Sequence, residues 1–142
     1  KDTLKPFIDK RYRTDPQPAS TGLAGSSLGG LMAIYAALEH SDTFGFTAAF
    51  SPALAIENMD GINVLFEAIK QHQTIGNSKI YFDIGQMEYG NYEQIEQLNS
   101  LLLKQGFKPE NLKLVKDDSG RHCEVDWSRR VPAALEWLQA GI

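Results

Sequence analysis

A chain of 142 residues, 42% hydrophobic and 23% charged, has the size and composition of one soluble globular domain with a single core. With 14 Lys and Arg against 18 Asp and Glu, the formal charge is −4; the densest basic stretch, Lys10-Arg11-Tyr12-Arg13, is too short to make nucleic acid or an anionic membrane surface the expected partner. A lone cysteine, Cys123, excludes an intramolecular disulfide and a cysteine-based zinc site, the three histidines (His40, His72, His122) lack metal-ligand spacing, and no apolar run approaches a membrane span.

Asp2 to Lys10 reads as a short helix with Leu4, Phe7 and Ile8 on one face. The prolines of Thr14-Asp15-Pro16-Gln17-Pro18 then force an extended turn, because each biases the residue before it away from helix. Ser20 to Gly25 is short, apolar and closed by glycine, as a buried strand would be. Leu28, Leu31, Met32, Tyr35 and Leu38 recur at helical spacing, so a helix is expected over Leu28 to Glu39. Phe46 to Phe50 is a second strand, stopped by Ser51-Pro52. Asn58 to Gln71 is helical with Ile62, Leu65, Phe66 and Ile69 inside, and Lys79 to Ile84 is a third strand ended by Gly85. Tyr92, Ile95, Leu98 and Leu102 mark another helix closed by Gly106; Leu112 to Lys116 is a fourth strand and Trp127 to Gln139 a final helix.

Strands alternating with helices of this length imply βαβ units, hence an α/β fold with a parallel sheet, right-handed crossovers and flanking helices. Residues 1–142 are read as a single domain. Sites in such sheets lie at the carboxyl ends of strands, here Gly25, Phe50, Ile84 and Lys116.

Gly25-Ser26-Ser27-Leu28-Gly29 fits Gly-x-Ser-x-Gly at a strand-to-helix junction, with Ser27 at its centre. A serine at the tip of so sharp a turn sits in a strained conformation, so the residues two before and two after, Gly25 and Gly29, are expected to lack side chains that would collide. Gly30 extends that tolerance for close helix packing, and Ser26 is a local helper rather than a nucleophile. The helix behind Ser27 aims its N-terminus at the site, and the Leu28 N–H is a candidate oxyanion donor. A glycine-rich turn with an incidental serine shares the five-residue pattern; the strand before it and the amphipathic helix after it are the context the chemistry requires.

A base for Ser27 must come from a loop at the same end of the sheet, and His122 follows the fourth strand in such a loop. His40 closes a helix, where histidines commonly cap, and His72 stands at another helix end. For the acid, Glu88 follows the third strand in the interval that the order Ser, acid, His requires. Asp83, Asp117, Asp118 and a Ser–His dyad without an acid stay open as alternatives.

Arg11-Tyr12-Arg13-Thr14, Ala24-Gly25-Ser26-Ser27-Leu28-Gly29-Gly30-Leu31, Phe50-Ser51-Pro52-Ala53 and Gly120-Arg121-His122-Cys123-Glu124-Val125-Asp126-Trp127 fall in an order that resembles the Putative esterase family of α/β-hydrolases. That family includes enterochelin-esterase-like, esterase-D-like and feruloyl or acetyl-xylan esterase proteins, and the resemblance runs from about Leu4 to Leu138. It implies Ser27 as nucleophile, His122 as base and Glu88 as acid, in a loop where relatives often carry Asp; it implies a packing role for Trp127, a small buried Cys123, and no cofactor or metal. In the family the nucleophile strand follows several earlier strands that supply a second oxyanion donor. Here it is the first strand. The expectation is therefore the C-terminal part of a longer domain, with low or no activity alone, and with a further segment or a homo-oligomer partner covering the edge at Ser20 to Gly25. The substrate is expected to be a small-molecule ester, with acyl transfer and a non-catalytic binding module as the rival readings; a cytoplasmic setting is the default.

Overall fold

The computed structural model describes residues 1–54, 61–71, 78–88 and 92–140. His72 and the expected helical start at Asn58 lie outside them, as does the Ile62 side chain. Four strands, β1 (Gly22–Ser26), β2 (Phe46–Phe50), β3 (Lys79–Gly85) and β4 (Leu112–Asp117), form one sheet in the order β1-β2-β3-β4. Every neighbouring pair is parallel. The helices are α1 (Leu4–Arg11), α2 (Leu28–Glu39), α3 (Gly61–Gln71), α4 (Tyr92–Lys104) and α5 (Glu124–Gln139). The fold class and the element order are those read from the pattern of strands and helices.

Period-2 alternation divides the sheet between two cores. Ile80, Phe82 and Ile84 of β3 join Leu31, Ile34 and Leu38 of α2, Leu65 and Ile69 of α3, and Ile95, Leu98 and Leu102 of α4. Tyr81 of β3 joins Ala48 and Phe50 of β2 and Trp127, Ala134 and Leu138 of α5 on the other side. Each of these buried large side chains contributes about 1.5–3 kcal/mol through area removed from water. Asp83 shares the parity of Tyr81, so alternation alone turns its carboxylate toward α5. The register pairs Ser26 with Phe50 and Gly85 with Asp117, which sets the strand ends side by side.

The helix expected over Leu28 to Glu39 is α2; Leu28 and Met32 are 48% and 55% exposed, and its buried face carries Gly30, Leu31, Ala33, Ile34, Ala37 and Leu38. Two apolar stripes run along α2, and backbone proximity selects between them: a Cβ on Gly30 would stand 3.2 Å from Gly25 O and Pro52 Cα, so that side lies against the strand ends. Leu4 and Phe7 of α1 are likewise exposed, and no residue of α1 is buried. The last helix begins at Glu124 rather than Trp127, and its first turn gains Glu124 and Asp126, which suit the positive end of the helix dipole.

β1 has a strand neighbour on one side only among the described residues. No helix among them is long and apolar enough to cross a membrane.

Candidate active site

Ser27 connects β1 to α2 with φ 54° and ψ −123°, a conformation that side-chain-bearing residues avoid and that costs roughly 1–3 kcal/mol. Three backbone hydrogen bonds hold it there. Its N–H donates to Phe50 O at 3.0 Å, and its carbonyl accepts from Leu31 N at 3.1 Å and Ala53 N at 3.0 Å. Leu28 opens α2, so its N–H has no acceptor within the helix and points out of the N-terminus.

The two glycines flanking Ser27 serve differently. A Cβ on Gly25 would fall 2.4 Å from the carbonyl carbon and oxygen of Gly29, so this contact demands glycine at position 25. A Cβ on Gly29 would meet nothing within 4 Å, against the expectation that both must avoid collision; Gly29 meets Gly25 through its backbone, and its own missing side chain points elsewhere. Gly25→Ala should therefore destabilise by about 2–3 kcal/mol as β1 and α2 are pushed apart, whereas Gly29→Ala should leave the melting temperature nearly unchanged. Thermal unfolding of the two variants side by side checks the contrast.

His122 lies in the loop between β4 and α5, and its ring reaches both expected partners. Nε2 is 2.8 Å from Ser27 Oγ, and Nδ1 is 2.7 Å from Glu88 Oε2. The residues so joined are 95 and 34 positions apart in the chain, and only the alignment of strand ends unites them. The imidazole side chain is 38% exposed, open to a reactant, while the Glu88 side chain is 1% exposed. Trp127 packs edge-on against the imidazole at 4.9 Å between ring centres. Arg121 N and Nε each bond Asp126 Oδ2 at 2.9 Å, tying the histidine loop to the first turn of α5. Hydrogen bonds from the Arg121 side chain and backbone, with Arg129 near, hold Asp126 well below the usual carboxylate range.

Beneath Glu88 is a buried polar floor that sequence reasoning did not find. Ser51 follows β2 directly with φ 45° and is fully buried. Its Oγ lies 2.5 Å from Glu88 Oε1 and accepts from Trp127 Nε1 at 3.0 Å and Arg130 Nη2 at 2.9 Å. Gly85 N also donates to Glu88 Oε1 at 2.8 Å. Asp83, weighed above as an alternative acid, turns away from His122: Oδ1 accepts from Ser51 N at 2.9 Å, and Oδ2 accepts from Tyr81 OH at 3.2 Å and stands 3.2 Å from Arg130 Nε. Burial pushes Asp83 up to about 6, against the pull of Arg130. The same burial, with Asp83 adjacent, pushes the Tyr81 hydroxyl up. Asp117 accepts from Ser119 N at 3.1 Å as a turn residue does, and its other oxygen is 3.6 Å from Arg130 Nη1. Cys123 is half-buried rather than buried, and Trp127 bonds as well as packs. His40 caps the far end of α2. Among the described residues no group of three or more His, Cys, Asp or Glu is placed to hold a metal.

A parallel sheet whose strand ends bring a strained serine at a helix N-terminus together with a histidine and a buried acid has the architecture of the α/β-hydrolases. Residues 1–138 match the Esterase family, described as Putative esterase, and the chain belongs to it. It is 26% identical over 141 residues to the protein named Uncharacterized protein YbbA of Bacillus subtilis, covering 94% of this chain and 54% of that one. The enterobactin esterase FES of Shigella flexneri superposes with a TM-score of 0.83 at 23% identity, over 97% of this chain and 35% of that one. The S-formylglutathione hydrolase FrmB of Staphylococcus aureus does so with a TM-score of 0.76 at 17% identity, over 95% and 57%. These likenesses show the shared α/β-hydrolase fold. The chain spans about half the length of the curated relative it matches.

Proposed function

We propose that this chain carries the reacting residues of a serine carboxylic-ester hydrolase working through an acyl-enzyme. One observation carries the reading: a continuous relay from Glu88 Oε2 to His122 Nδ1 at 2.7 Å and from His122 Nε2 to Ser27 Oγ at 2.8 Å. Ser27 Oγ attacks the ester carbonyl carbon while Nε2 takes its proton. The carbonyl oxygen becomes an oxyanion, which the Leu28 N–H and the N-terminal field of α2 stabilise. Collapse breaks the bond to the alcohol oxygen, and the imidazolium returns the proton to that leaving group. Water, deprotonated by the same nitrogen, then attacks the acyl carbon, and the bond to Ser27 Oγ breaks as Nε2 returns the proton to it, releasing the carboxylic acid and free Ser27. Glu88 keeps its charge throughout, fixing the tautomer with hydrogen on Nδ1 and offsetting the imidazolium. The cycle calls on no metal or organic cofactor.

Fluorophosphonate labelling of the full-length protein tests this. Modification is expected at Ser27 alone, is lost in Ser27→Ala, and accompanies hydrolysis of short-chain p-nitrophenyl esters. A protein that takes no label and turns over no ester would end the proposal. Added alcohol that captures the acyl group in place of water would shift it to acyl transfer.

A further inference from the structure

We propose that Ser51 is a positioning residue for the relay: its hydroxyl, held by Arg130 and Trp127, keeps one oxygen of Glu88 in place so that the other faces His122. Its effect on turnover rests on the esterase reading above; its effect on the imidazole rests on geometry alone.

The proton of the Ser51 hydroxyl has one place to go. Guanidinium and indole nitrogens only donate, so Arg130 Nη2 at 2.9 Å and Trp127 Nε1 at 3.0 Å occupy the two lone pairs of Ser51 Oγ. The remaining O–H must donate to Glu88 Oε1, 2.5 Å away. With Gly85 N on the same oxygen at 2.8 Å, Oε1 is fully engaged and Oε2 is left for His122 Nδ1. Donors thus propagate in one direction from Arg130 through Ser51 to Glu88. The carboxylate can then only accept from Nδ1, and Nε2 is left as the acceptor for Ser27.

Ser51 is also a spacer. Arg130 Nη2 stands 3.8 Å from Glu88 Oε1, and the Ser51 oxygen sits between them. Without it, guanidinium and carboxylate would close into a direct charge-assisted pair, drawing Glu88 off the imidazole. The backbone argues the same way. A residue needed only for a turn at φ 45° is best supplied by glycine, yet a serine stands here with its N–H anchored to the buried Asp83 carboxylate at 2.9 Å. The strain is tolerated where the hydroxyl is used.

The test is Ser51→Gly, which relaxes the backbone while deleting the hydroxyl, with Ser51→Ala as a second variant and Ser51→Cys as a weak-donor replacement. In the full-length protein kcat is expected to fall about tenfold with KM within about twofold, as for other groups that orient a reacting side chain. His122 loses part of its negative partner, so the acid limb of kcat/KM and the NMR titration midpoint of His122 should both move down by about half a pH unit, with Ser51→Cys in between. Other charged or titratable groups near the pair are Asp83 and Tyr81 of β3, Asp117 of β4, and Arg121, Cys123 and Arg130; all keep their identity in every variant, and the approach of Arg130 to Glu88 is itself part of the expected shift. A purely structural role lowers the folded fraction and moves neither midpoint. An unchanged or raised His122 midpoint overturns the proposal. Should the unaltered protein hydrolyse no ester, the esterase reading falls, and the NMR midpoint still decides the role of Ser51.

Discussion

His122→Ala is expected to lower kcat on a short-chain p-nitrophenyl ester by about 10⁴-fold or more while leaving KM nearly unchanged. In the proposed cycle the imidazole makes its contribution in the transition state, where Nε2, 2.8 Å from Ser27 Oγ, holds the proton taken from it. Substrate in the ground state does not need that proton moved, so binding is spared. His40 cannot substitute, because it caps α2 at the end opposite Ser27. Ser27→Ala should fall as far, and the double variant no further, because the two act as one unit. Glu88→Gln should cost about 10³-fold: the amide keeps most of the shape but cannot offset the imidazolium, and it can present N–H₂ to Nδ1 and reverse the tautomer. Steady-state rates normalised to the concentration of folded protein measure all four. His122→Ala activity within tenfold of the unaltered protein would remove the base from the mechanism.

Much of this site was legible in the residues because the chemistry is tied to local pattern. Gly25-Ser26-Ser27-Leu28-Gly29 announces a turn that few sequences can make, and alternating strands and helices say at which end of the sheet its serine emerges. His122 and Glu88 then stand as candidates by loop position and chain order, with Asp83, Asp117, Asp118 and a dyad open beside Glu88. Ser51 and Arg130 left no such mark. Ser51 looks like an ordinary strand terminator before Pro52, and Arg130 like one of two adjacent arginines on a helix. Their meeting, 79 residues apart, depends on β2 ending level with β3 and on α5 crossing the face that Tyr81 and Asp83 share. Alternation along Lys79–Gly85 does place Asp83 opposite α5, so a buried cation on that helix was the one readable clue. Apolar spacing located α2 over Leu28 to Glu39 but left its buried face open. Large side chains define two stripes there, and the choice was made by backbone proximity at Gly30, which hydrophobicity does not register.

Arg130→Met should be the most damaging substitution away from the relay, destabilising by about 3–5 kcal/mol at pH 7.5, or roughly 10–15 °C in melting temperature. The guanidinium, 7% exposed, stands 3.2 Å from Asp83, 3.8 Å from Glu88 and 3.6 Å from Asp117, so its loss strands carboxylates in the interior. The pH dependence follows from the sign of the Asp83 shift. Burial raises this carboxyl from 3.8 to about 6, so the folded state holds its proton more tightly than the unfolded state. Its charge therefore opposes folding once pH exceeds about 6, by an amount on the order of 3 kcal/mol, and the opposition fades as pH falls toward 4. Removing Arg130 takes away the main force lowering that carboxyl, so the proton should bind more tightly still. The deficit of Arg130→Met should accordingly shrink between pH 7.5 and pH 5, as Asp83 neutralises in place. Asp83→Asn combined with Arg130→Met should recover part of the loss at pH 7.5, because the amide oxygen can still accept from Ser51 N without a charge to bury. Thermal unfolding of the single and double variants at both pH values decides it. A deficit equal at the two pH values, with no recovery in the double variant, would mean that Arg130 acts by packing its chain against β3 rather than by neutralising Asp83.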